Sequence, residues 1–253
     1  MTRTRIIKIV VAVVILAAWE LICRLGLVNA IILAPPSSIV AAMLTSWRDF
    51  LGAFQVTILS IATSIALAWS IGIGFGLIFG LSPLGYGVFS PLLTGLFSVP
   101  LITLYPLFLV WFGIGPGSKI AFAVLTGSIP IALNTMDGVR QIDRSYIGLA
   151  RSIGASPVQA YFRIYFPLAL PSILSGLRIG TSLVVIGVVV CEMLAAVDGL
   201  GFWISYNRTI FKTGHVYLGI TLAMLSVVLV NIALGHIERR FGAMRAEAAT
   251  ATV

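Results

Sequence analysis

Long apolar runs alternate with short polar connections along almost the whole chain. A helix needs about 20 mainly apolar residues to cross a bilayer, and six segments of the sequence meet that requirement. The pattern therefore predicts an all-α membrane protein with six transmembrane helices. The predicted spans cover about 6–28, 54–81, 87–113, 117–138, 168–197 and 214–237.

The first predicted span allows two interpretations. Glu20 and Arg24 interrupt its apolar run, so it is either a retained span or the apolar core of a cleaved signal peptide. In the second case the basic residues before position 9 would form the leading segment, and cleavage would follow Ala30. We prefer the retained span, because the two charges lie too deep for the core of a signal peptide.

A shorter segment follows, "LAPPSSIVAAMLTSW" at 33–47. Two prolines precede a pair of serines, and serine is a preferred N-cap residue. We therefore expect a surface helix that begins at Ser37 or Ser38.

The basic residues favour one orientation in the membrane. Lys and Arg are enriched in the cytoplasmic loops of membrane proteins. With a cytoplasmic N-terminus, ten of them fall inside and five outside, so both termini are predicted to be cytoplasmic. The ten are Arg3, Arg5, Lys8, Arg140, Arg144, Arg151, Arg163, Arg239, Arg240 and Arg245, and the five are Arg24, Arg48, Lys119, Arg208 and Lys212.

The composition agrees with a chain embedded in a lipid bilayer. Of its 253 residues, 59% are hydrophobic and 9% are charged, whereas a soluble domain has about 25% charged residues. Membrane topology explains the net charge of +8, so no nucleic-acid partner is needed. Cys23 and Cys191 lie in apolar runs without metal-ligand spacing. We therefore expect no metal or cofactor site in this chain.

Glycines and prolines mark two of the predicted spans. Glycines recur every four residues from Gly72 to Gly80, a spacing that lets a second helix approach closely. The third span contains Pro91, Pro100 and Pro106. Proline frees backbone groups that need protein or a wet cavity in lipid, so we expect a broken helix that lines a pathway. Tolerated kinks without a pathway are the alternative for any single proline.

Residues 143–167 form a basic, punctuated segment after the fourth span. Asp143 is placed to cap a first short helix, and Gly154 to end it in the left-handed conformation. The sequence "SPVQ" at 156–159 has the pattern of a capping box with proline at the first helical position. Pro167 is expected to close this second helix before the next span.

The second helix of this segment carries an apolar-aromatic face. Val158, Tyr161, Phe162 and Tyr165 recur at helical spacing. Such a face either folds back on the membrane or on the chain's own spans, or docks in a groove of a soluble partner. The two caps and the glycine corner favour docking, because an idle connector between spans needs neither.

The segment resembles the "EAA" loop in the membrane subunits of bacterial ABC importers. That pattern is Glu-Ala-Ala, three residues, Gly, nine residues, then Ile-x-Leu-Pro. Ala150, Gly154, Ile164 and Pro167 stand at the family's spacing. Three residues differ from the family pattern. Gly148 stands where the family has Glu, Leu149 where it has Ala, and Phe166 where it has Leu.

Other segments are similar to the nitrate/sulfonate/taurine branch of these permeases. They are "LAPPSSIV" at 33–40, "WFGIGPGSKI" at 111–120, "NTMDGVR" at 134–140, "LPSILSGLRIG" at 170–180 and "CEMLAAVDGLGF" at 191–202. The resemblance implies the type I ABC importer permease fold as a single domain over 1–253, in the bacterial inner membrane. It also implies a second copy of the permease, a cytoplasmic ATPase dimer and an extracytoplasmic substrate-binding protein.

The resemblance makes residues 139–167 a coupling loop that docks in a groove of each ATPase. The implied coupling residues are Ala150, Arg151, Gly154, Ala155, Ser156, Pro157, Tyr161, Phe162, Arg163, Ile164 and Pro167. The chain lacks the phosphate-binding pattern GxxxxGK[ST]. We therefore expect the partner ATPase to bind ATP and Mg²⁺, and expect this chain not to be an enzyme.

Four residues are candidates for the pathway, namely Pro100, Tyr105, Arg178 and Glu192. An ionisable group in a span is a functional candidate by default. Glu192 has the alternative of a hydrogen bond from the turn at 199–201, or of a pair with Lys119 or Arg178. Arg178 could attract an anionic cargo or extend its side chain to the cytoplasmic edge. Asp137 and Arg140, three residues apart, are expected to form a local pair.

The preferred function is transport by alternating access in an ATP-driven, binding-protein-dependent importer. The preferred cargo is a sulfonate, nitrate or another small organic anion, and a pyrimidine or thiamine precursor is the alternative. A stand-alone secondary transporter would need repeated halves and ion-coupling residues in the spans. An intramembrane enzyme would need a nucleophile–base or paired-carboxylate site. The sequence shows neither pattern.

Overall fold

A computed structural model describes residues 2–143, 145, 146, 148, 152 and 154–250. Within these residues, side chains at 2–5, 157, 158, 233, 234 and 236–250 are not described. Every regular element of the described chain is helical. The α-helices are α1 (Thr2–Arg24), α2 (Pro36–Thr45), α3 (Trp47–Leu81), α4 (Pro83–Ser98), α5 (Tyr105–Phe112), α6 (Pro116–Arg140), α7 (Pro157–Ala160), α8 (Phe166–Ala195), α9 (Gly199–Thr209) and α10 (Thr213–Thr250).

Five helical stretches of the described chain are long and apolar enough to cross a membrane, and a bent pair adds a sixth. The six predicted spans are confirmed when the bent pair counts as one broken span. The orientation of the termini stays a prediction. The five stretches are Ile6–Arg24, Trp47–Leu81, Pro116–Arg140, Tyr161–Ala195 and Thr213–Ile232.

The third predicted span is the broken one. Helix α4 and the stretch Leu101–Phe112, a 3₁₀ turn followed by α5, meet at 87°. The break lies at Val99, which is extended because the next residue is Pro100, and the residue before a proline disfavours the helical region. Pro106 lies in the first turn of α5, where its missing N–H costs no helical hydrogen bond. The expected break is therefore confirmed.

Helix α2 begins differently from the prediction. Its first residue is Pro36, and Pro35 occupies the N-cap position without a side-chain capping bond. The Ser37 N–H and hydroxyl both donate to the Glu20 carboxylate, at 3.0 and 2.7 Å. The Arg24 Nε also donates to it, at 2.6 Å. The prediction of Ser37 or Ser38 as N-cap is wrong, because a carboxylate from α1 takes that role.

The chain folds into two compact units. The first unit combines Met1–Ile58 with Val189–Leu225, and the second combines Leu59–Val188 with Ser226–Val253. The prediction of a single domain over 1–253 stays a prediction.

Glycines set the packing of the second unit. A Cβ built on Gly76 of α3 would lie 2.5 Å from Thr135 Cβ and 2.8 Å from the Ala132 carbonyl oxygen of α6. Another built on Gly180 of α8 would lie 2.5 Å from the Gly127 carbonyl oxygen of α6. Helix α6 therefore packs backbone to backbone against both α3 and α8. The close approach predicted from the glycine spacing is confirmed, with α6 as the partner.

Aromatic side chains organise the core of the first unit. The Phe50 ring stacks on Phe54 at a centroid distance of 6.0 Å and meets the Trp203 ring edge-on at 6.2 Å. Ser46 Oγ lies 3.1 Å from His215 Nε2, which ties the end of α2 to α10. The buried residues of this cluster are Ala42, Phe50, Leu200 and Leu218.

Candidate functional site

A glycine corner precedes the second short helix of the predicted coupling loop. Gly154 has a φ of +68°, a left-handed conformation that side chains other than glycine adopt at a cost. Before it, the Asp143 carboxylate accepts the Ser145 N–H at 2.8 Å. This hydrogen bond holds the pKa of Asp143 below its ordinary value. The left-handed conformation predicted for Gly154 is confirmed, and the Asp143 hydrogen bond is the one expected of a cap, whereas most of the predicted first helix lies outside the described residues.

The second helix of the loop begins with a reciprocal capping box. The Gln159 N–H donates to Ser156 Oγ at 3.3 Å, and the Ser156 N–H donates to Gln159 Oε1 at 2.9 Å. Pro157 is the first helical residue, as predicted. Two donors that would otherwise lack partners are satisfied without help from another segment. The corner and the cap together hold the start of this helix in one direction.

Pro167 does not end this helix, so that prediction is wrong. A π-helical turn over Tyr161–Tyr165 follows α7 and runs directly into α8. The Phe166 N–H donates to the Tyr161 carbonyl oxygen, five residues back rather than four. This wider turn shifts the hydrogen-bond pattern just before Pro167, which lacks an N–H, and the helix continues through it.

The predicted aromatic face is divided in the structure. Tyr161 is half-buried and packs on the apolar core of the second unit. Phe162, its neighbour, is 64% exposed, and the two rings meet at 5.1 Å. Adjacent helical residues point in different directions, so one ring holds the helix on its own chain and the other is available to a partner.

The remaining predicted coupling residues differ in exposure. Ala155 and Ile164 are half-buried, and Arg163 and Pro167 are exposed. Ala150 and Arg151 lie outside the described residues.

Asp137 and Arg140 meet through a third residue rather than directly. Tyr86 Oη donates to Asp137 Oδ1 at 2.8 Å. The Arg140 guanidinium lies over the Tyr86 ring, 4.9 Å from its centroid. The predicted local pair is wrong, because Tyr86 of α4 separates the two charges and connects α4 to the end of α6.

Glu192 is buried and acts as a remote cap for α9. Its side chain is 1% exposed, and its Oε2 accepts the Gly201 N–H at 3.1 Å and the Thr57 hydroxyl at 2.7 Å. Thr57 Oγ1 accepts the Leu200 N–H at 2.7 Å. Asp198 occupies the N-cap position of α9 without a side-chain capping bond. The backbone N–H groups of Leu200 and Gly201, in the first turn of α9, therefore donate to side chains of α3 and α8.

The turn before α9 fits closely around this carboxylate. Gly199 has a φ of +93°, and a Cβ there would overlap the Glu192 carboxylate. A Cβ on Gly201 would lie 2.5 Å from Glu192 Cβ. A negative charge is favourable at a helix N-terminus. The hydrogen-bonded alternative predicted for Glu192 is confirmed, and a pair with Lys119 or Arg178 stays a prediction.

The other pathway candidates have different surroundings. Arg178 is exposed, and a Cβ on Gly235 would lie 3.3 Å from its Nη2. Pro100 is exposed at the break of the third span, whereas Tyr105 is buried against Phe122, with ring centroids 5.5 Å apart. The roles of all four in a pathway stay predictions.

Sequence reasoning missed Thr57 and Tyr86. The sequence carried one signal for Thr57, because Thr57, Ser60 and Ser64 follow helical spacing within an apolar run. All three are buried in the structure. No local pattern marks Tyr86.

Comparison with known proteins places this arrangement in a family. The family model described as "Binding-protein-dependent transport system inner membrane component" matches residues 72–243. The chain belongs to this family. It is therefore a transport permease of the inner membrane, as the sequence resemblance implied. The matched range includes α4 to α9, and with them both the predicted coupling loop and Glu192.

Two relatives cover most of this permease. The taurine transport system permease protein TauC of Escherichia coli is 32% identical over 234 residues, 90% of this chain and 85% of TauC. The formylaminopyrimidine transport permease protein ThiX of Halalkalibacterium halodurans is 31% identical over 224 residues, 88% of this chain and 90% of ThiX. These relatives place the permease among ABC transport permeases and agree with the predicted branch.

A solved structure confirms the predicted type I ABC importer fold. A chain of the MetNI methionine ABC transporter, solved in inward-facing conformations, superposes with a TM-score of 0.66. The match covers 78% of this permease and 97% of that chain, at 21% sequence identity. At this identity the likeness establishes the fold alone.

Proposed function

We propose that this permease forms the translocation pathway of an ATP-driven importer and moves a small solute by alternating access. Two copies of the chain, a cytoplasmic ATPase dimer and an extracytoplasmic binding protein make up the transporter. ATP closes the ATPase dimer, and the coupling loops move with it, so that the pathway opens toward the binding protein. ATP hydrolysis then restores the inward-facing state.

The observation that carries this proposal is the pre-formed corner at Gly154 and Ser156. A connector between two spans needs only length, whereas this one has a left-handed glycine, a reciprocal capping box and an exposed Phe162. A short helix fixed in direction, with an exposed aromatic side chain, suits the groove of a partner. Because the sequence lacks GxxxxGK[ST], we assign ATP and Mg²⁺ to that partner.

The topology of the proposal follows the basic residues. Both termini and the coupling loop 139–167 lie in the cytoplasm, which puts ten basic residues inside and five outside. The connection after α1 and the turn between α9 and α10 then face the binding protein.

The pathway of the proposal lies beside the broken third span. Its helices α4 and α5 meet at 87°, and interrupted helices in transporters commonly line the cavity where substrate passes. Pro100 at the break is the first candidate to contact solute, with Tyr105 behind it. We assign Glu192 to positioning α9, and Arg178 to the cytoplasmic edge of the pathway.

The cargo of the proposal is a sulfonate, nitrate or another small organic anion. TauC is named for taurine transport, and ThiX for transport of formylaminopyrimidine, so a pyrimidine precursor is the alternative. Melting curves of the cognate binding protein with each compound distinguish the two. A rise in its Tm with taurine supports a sulfonate cargo, and a rise with formylaminopyrimidine alone overturns it.

Reconstitution in proteoliposomes with the cognate ATPase and binding protein tests the function itself. We expect the loaded binding protein to raise the rate of ATP hydrolysis, and solute to accumulate only when ATP is supplied. Uptake by the permease alone, abolished by a protonophore and indifferent to ATP, would identify a stand-alone secondary transporter instead.

Substitution at the corner tests the coupling loop in the same assay. A Cβ on Gly154 meets nothing within 4 Å, so Gly154→Val acts through the backbone, where a β-branched residue strongly disfavours a positive φ. We expect this variant to insert normally and to lose most of the stimulation of ATP hydrolysis. Gly154→Asn, which tolerates the left-handed region, should retain more of it.

Gly148→Ala is the matched control for the corner. Gly148 is helical, has no positive φ and also has open space at its Cβ, so full stimulation is expected. Normal stimulation in Gly154→Val would contradict the role assigned to the corner.

A further inference from the structure

Phe211 has a backbone conformation that its side chain disfavours. Its φ is +56°, the only positive value at a non-glycine residue in the part of the chain that the structure describes. Phe211 N–H donates to the Arg208 carbonyl oxygen at 3.2 Å, and Lys212 N–H donates to that of Asn207 at 2.9 Å. These two bonds form a Schellman motif at the end of α9, in which glycine usually occupies the position of Phe211.

The strain at Phe211 is not offset by burial of its ring. The residue is 69% exposed, so the ring adds little to the packing of its own chain. A glycine would satisfy the same two hydrogen bonds without crowding its Cβ. A strained residue that persists without a folding benefit points to a role for its side chain.

The ring borders an apolar groove of about 270 Å³, which we call the Phe211 groove. Ile31, Ile32 and Ile220 contribute apolar walls. Tyr217 Oη donates to the Ile32 carbonyl oxygen at 3.0 Å, and this bond holds the connection after α1 against α10. The groove is therefore built from segments that are fixed to each other.

We propose that the Phe211 groove is a docking site for the extracytoplasmic binding protein, with Phe211 as its aromatic anchor. This inference rests on the proposed function and its topology, which place the α9–α10 turn on the outer side. Aromatic and arginine side chains are enriched at the core of protein interfaces. The two backbone hydrogen bonds fix the main chain of this anchor, which lowers the conformational freedom lost on binding.

Charge at the rim of the groove argues against its burial in the hydrocarbon of a bilayer. Arg208 and Lys212 flank Phe211 and are both exposed, and exposed cations are costly within the hydrocarbon of a bilayer. Two neighbouring cations favour an acidic patch on the binding protein, which would steer its approach. The family to which the chain belongs is itself described as dependent on a binding protein.

The test measures how much binding protein half-maximally stimulates ATP hydrolysis by the complete transporter in proteoliposomes. For Phe211→Gly we expect an unchanged or higher Tm, because strain is removed, together with an increase of about tenfold or more in that concentration. Phe211→Tyr keeps the aromatic anchor and should restore wild-type behaviour. Val14→Ala, at an exposed position of α1, is the matched control and should change nothing.

A charge variant tests the rim independently. The double variant with Arg208→Glu and Lys212→Glu should also raise the half-maximal concentration of binding protein. The rise should be larger at low salt than at high salt, because salt screens the attraction between the charges. If Phe211→Gly leaves the concentration unchanged, the inference is wrong. The effect of Phe211→Gly on the rate of ATP hydrolysis could instead depend on the lipid composition of the vesicles, with no change in the half-maximal concentration. That result would identify Phe211 as a lipid contact and would also contradict the inference. If no binding protein stimulates the wild-type complex, the proposed function itself fails.

Discussion

At the scale of single residues, Gly199 decides whether the Glu192 carboxylate can reach the first turn of α9. Its φ of +93° excludes most side chains, and a Cβ would overlap the carboxylate. We therefore expect Gly199→Ala to reduce the free energy of unfolding by about 2–4 kcal/mol, from backbone strain and a displaced cap. The thermal-unfolding midpoint in detergent measures this loss.

Gly52→Ala is the matched control in the same unit. A Cβ on Gly52 meets nothing within 4 Å, and alanine in a helix interior is more favourable than glycine by about 0.5–1 kcal/mol. Its midpoint should stay level or rise. Equal midpoints for the two variants would show that the fit around Glu192 contributes little to stability.

Single residues also show which contacts can be predicted from sequence. Ser156 and Gln159 lie three positions apart, so their capping box follows from local geometry, and the structure confirms it. Glu192 and Thr57 are 135 positions apart, and no local pattern pairs them. Glu20 likewise caps α2 from 17 positions away. A remote carboxylate replaces a local cap wherever tertiary packing brings it close enough.

At the scale of helices, one face of α3 packs tightly on α6 and another face leaves space for an added side chain. A Cβ on Gly76 would lie 2.5 Å from Thr135 Cβ and 2.8 Å from the Ala132 carbonyl oxygen, whereas one on Gly74 meets nothing within 4 Å. Gly76→Ala must push α3 away from α6. We expect it to destabilise the protein by about 1–3 kcal/mol, as overpacking does.

Gly74→Ala is the control on the same helix, and should be neutral or stabilising because the helix gains a better helix-forming residue. Thermal unfolding in detergent and the yield of folded protein are the readouts. A larger loss for the Gly74 variant than for the Gly76 variant would contradict the α3–α6 contact. The glycine spacing predicted a close approach, but only the structure identifies α6 as the partner.

Proline shows the limit of prediction for helices. The break after Ser98 was predictable, because Pro100 disfavours a helical conformation at the residue before it. The helix nevertheless continues through Pro167, since the π-helical turn at Tyr161–Tyr165 changes the hydrogen-bond pattern in advance. Proline marks where a helix must adapt, and the neighbouring turn determines whether it ends.

At the scale of the whole molecule, the proposed contacts with the ATPase and with the binding protein both depend on orientation in the membrane, because they need the loop 139–167 inside and the Phe211 groove outside. Ten basic residues against five predict a cytoplasmic N-terminus. In variants that lack Cys23 and Cys191, we expect an impermeant thiol reagent added to spheroplasts to label Asn29→Cys and to leave Ser152→Cys unlabelled. Both positions are exposed in the structure, so a difference in labelling reports the side of the membrane.

Permeabilised cells supply the control, because Ser152→Cys should then be labelled as strongly as Asn29→Cys. The reverse pattern in intact spheroplasts would place the coupling loop outside and remove it from any ATPase. A Thr2→Cys variant tests the first span in the same experiment. If α1 is retained, the new thiol appears in the full-length protein after permeabilisation. A mature chain that lacks it would instead identify residues 1–30 as a signal peptide, and the N-terminus of the remaining chain would then lie on the outer side.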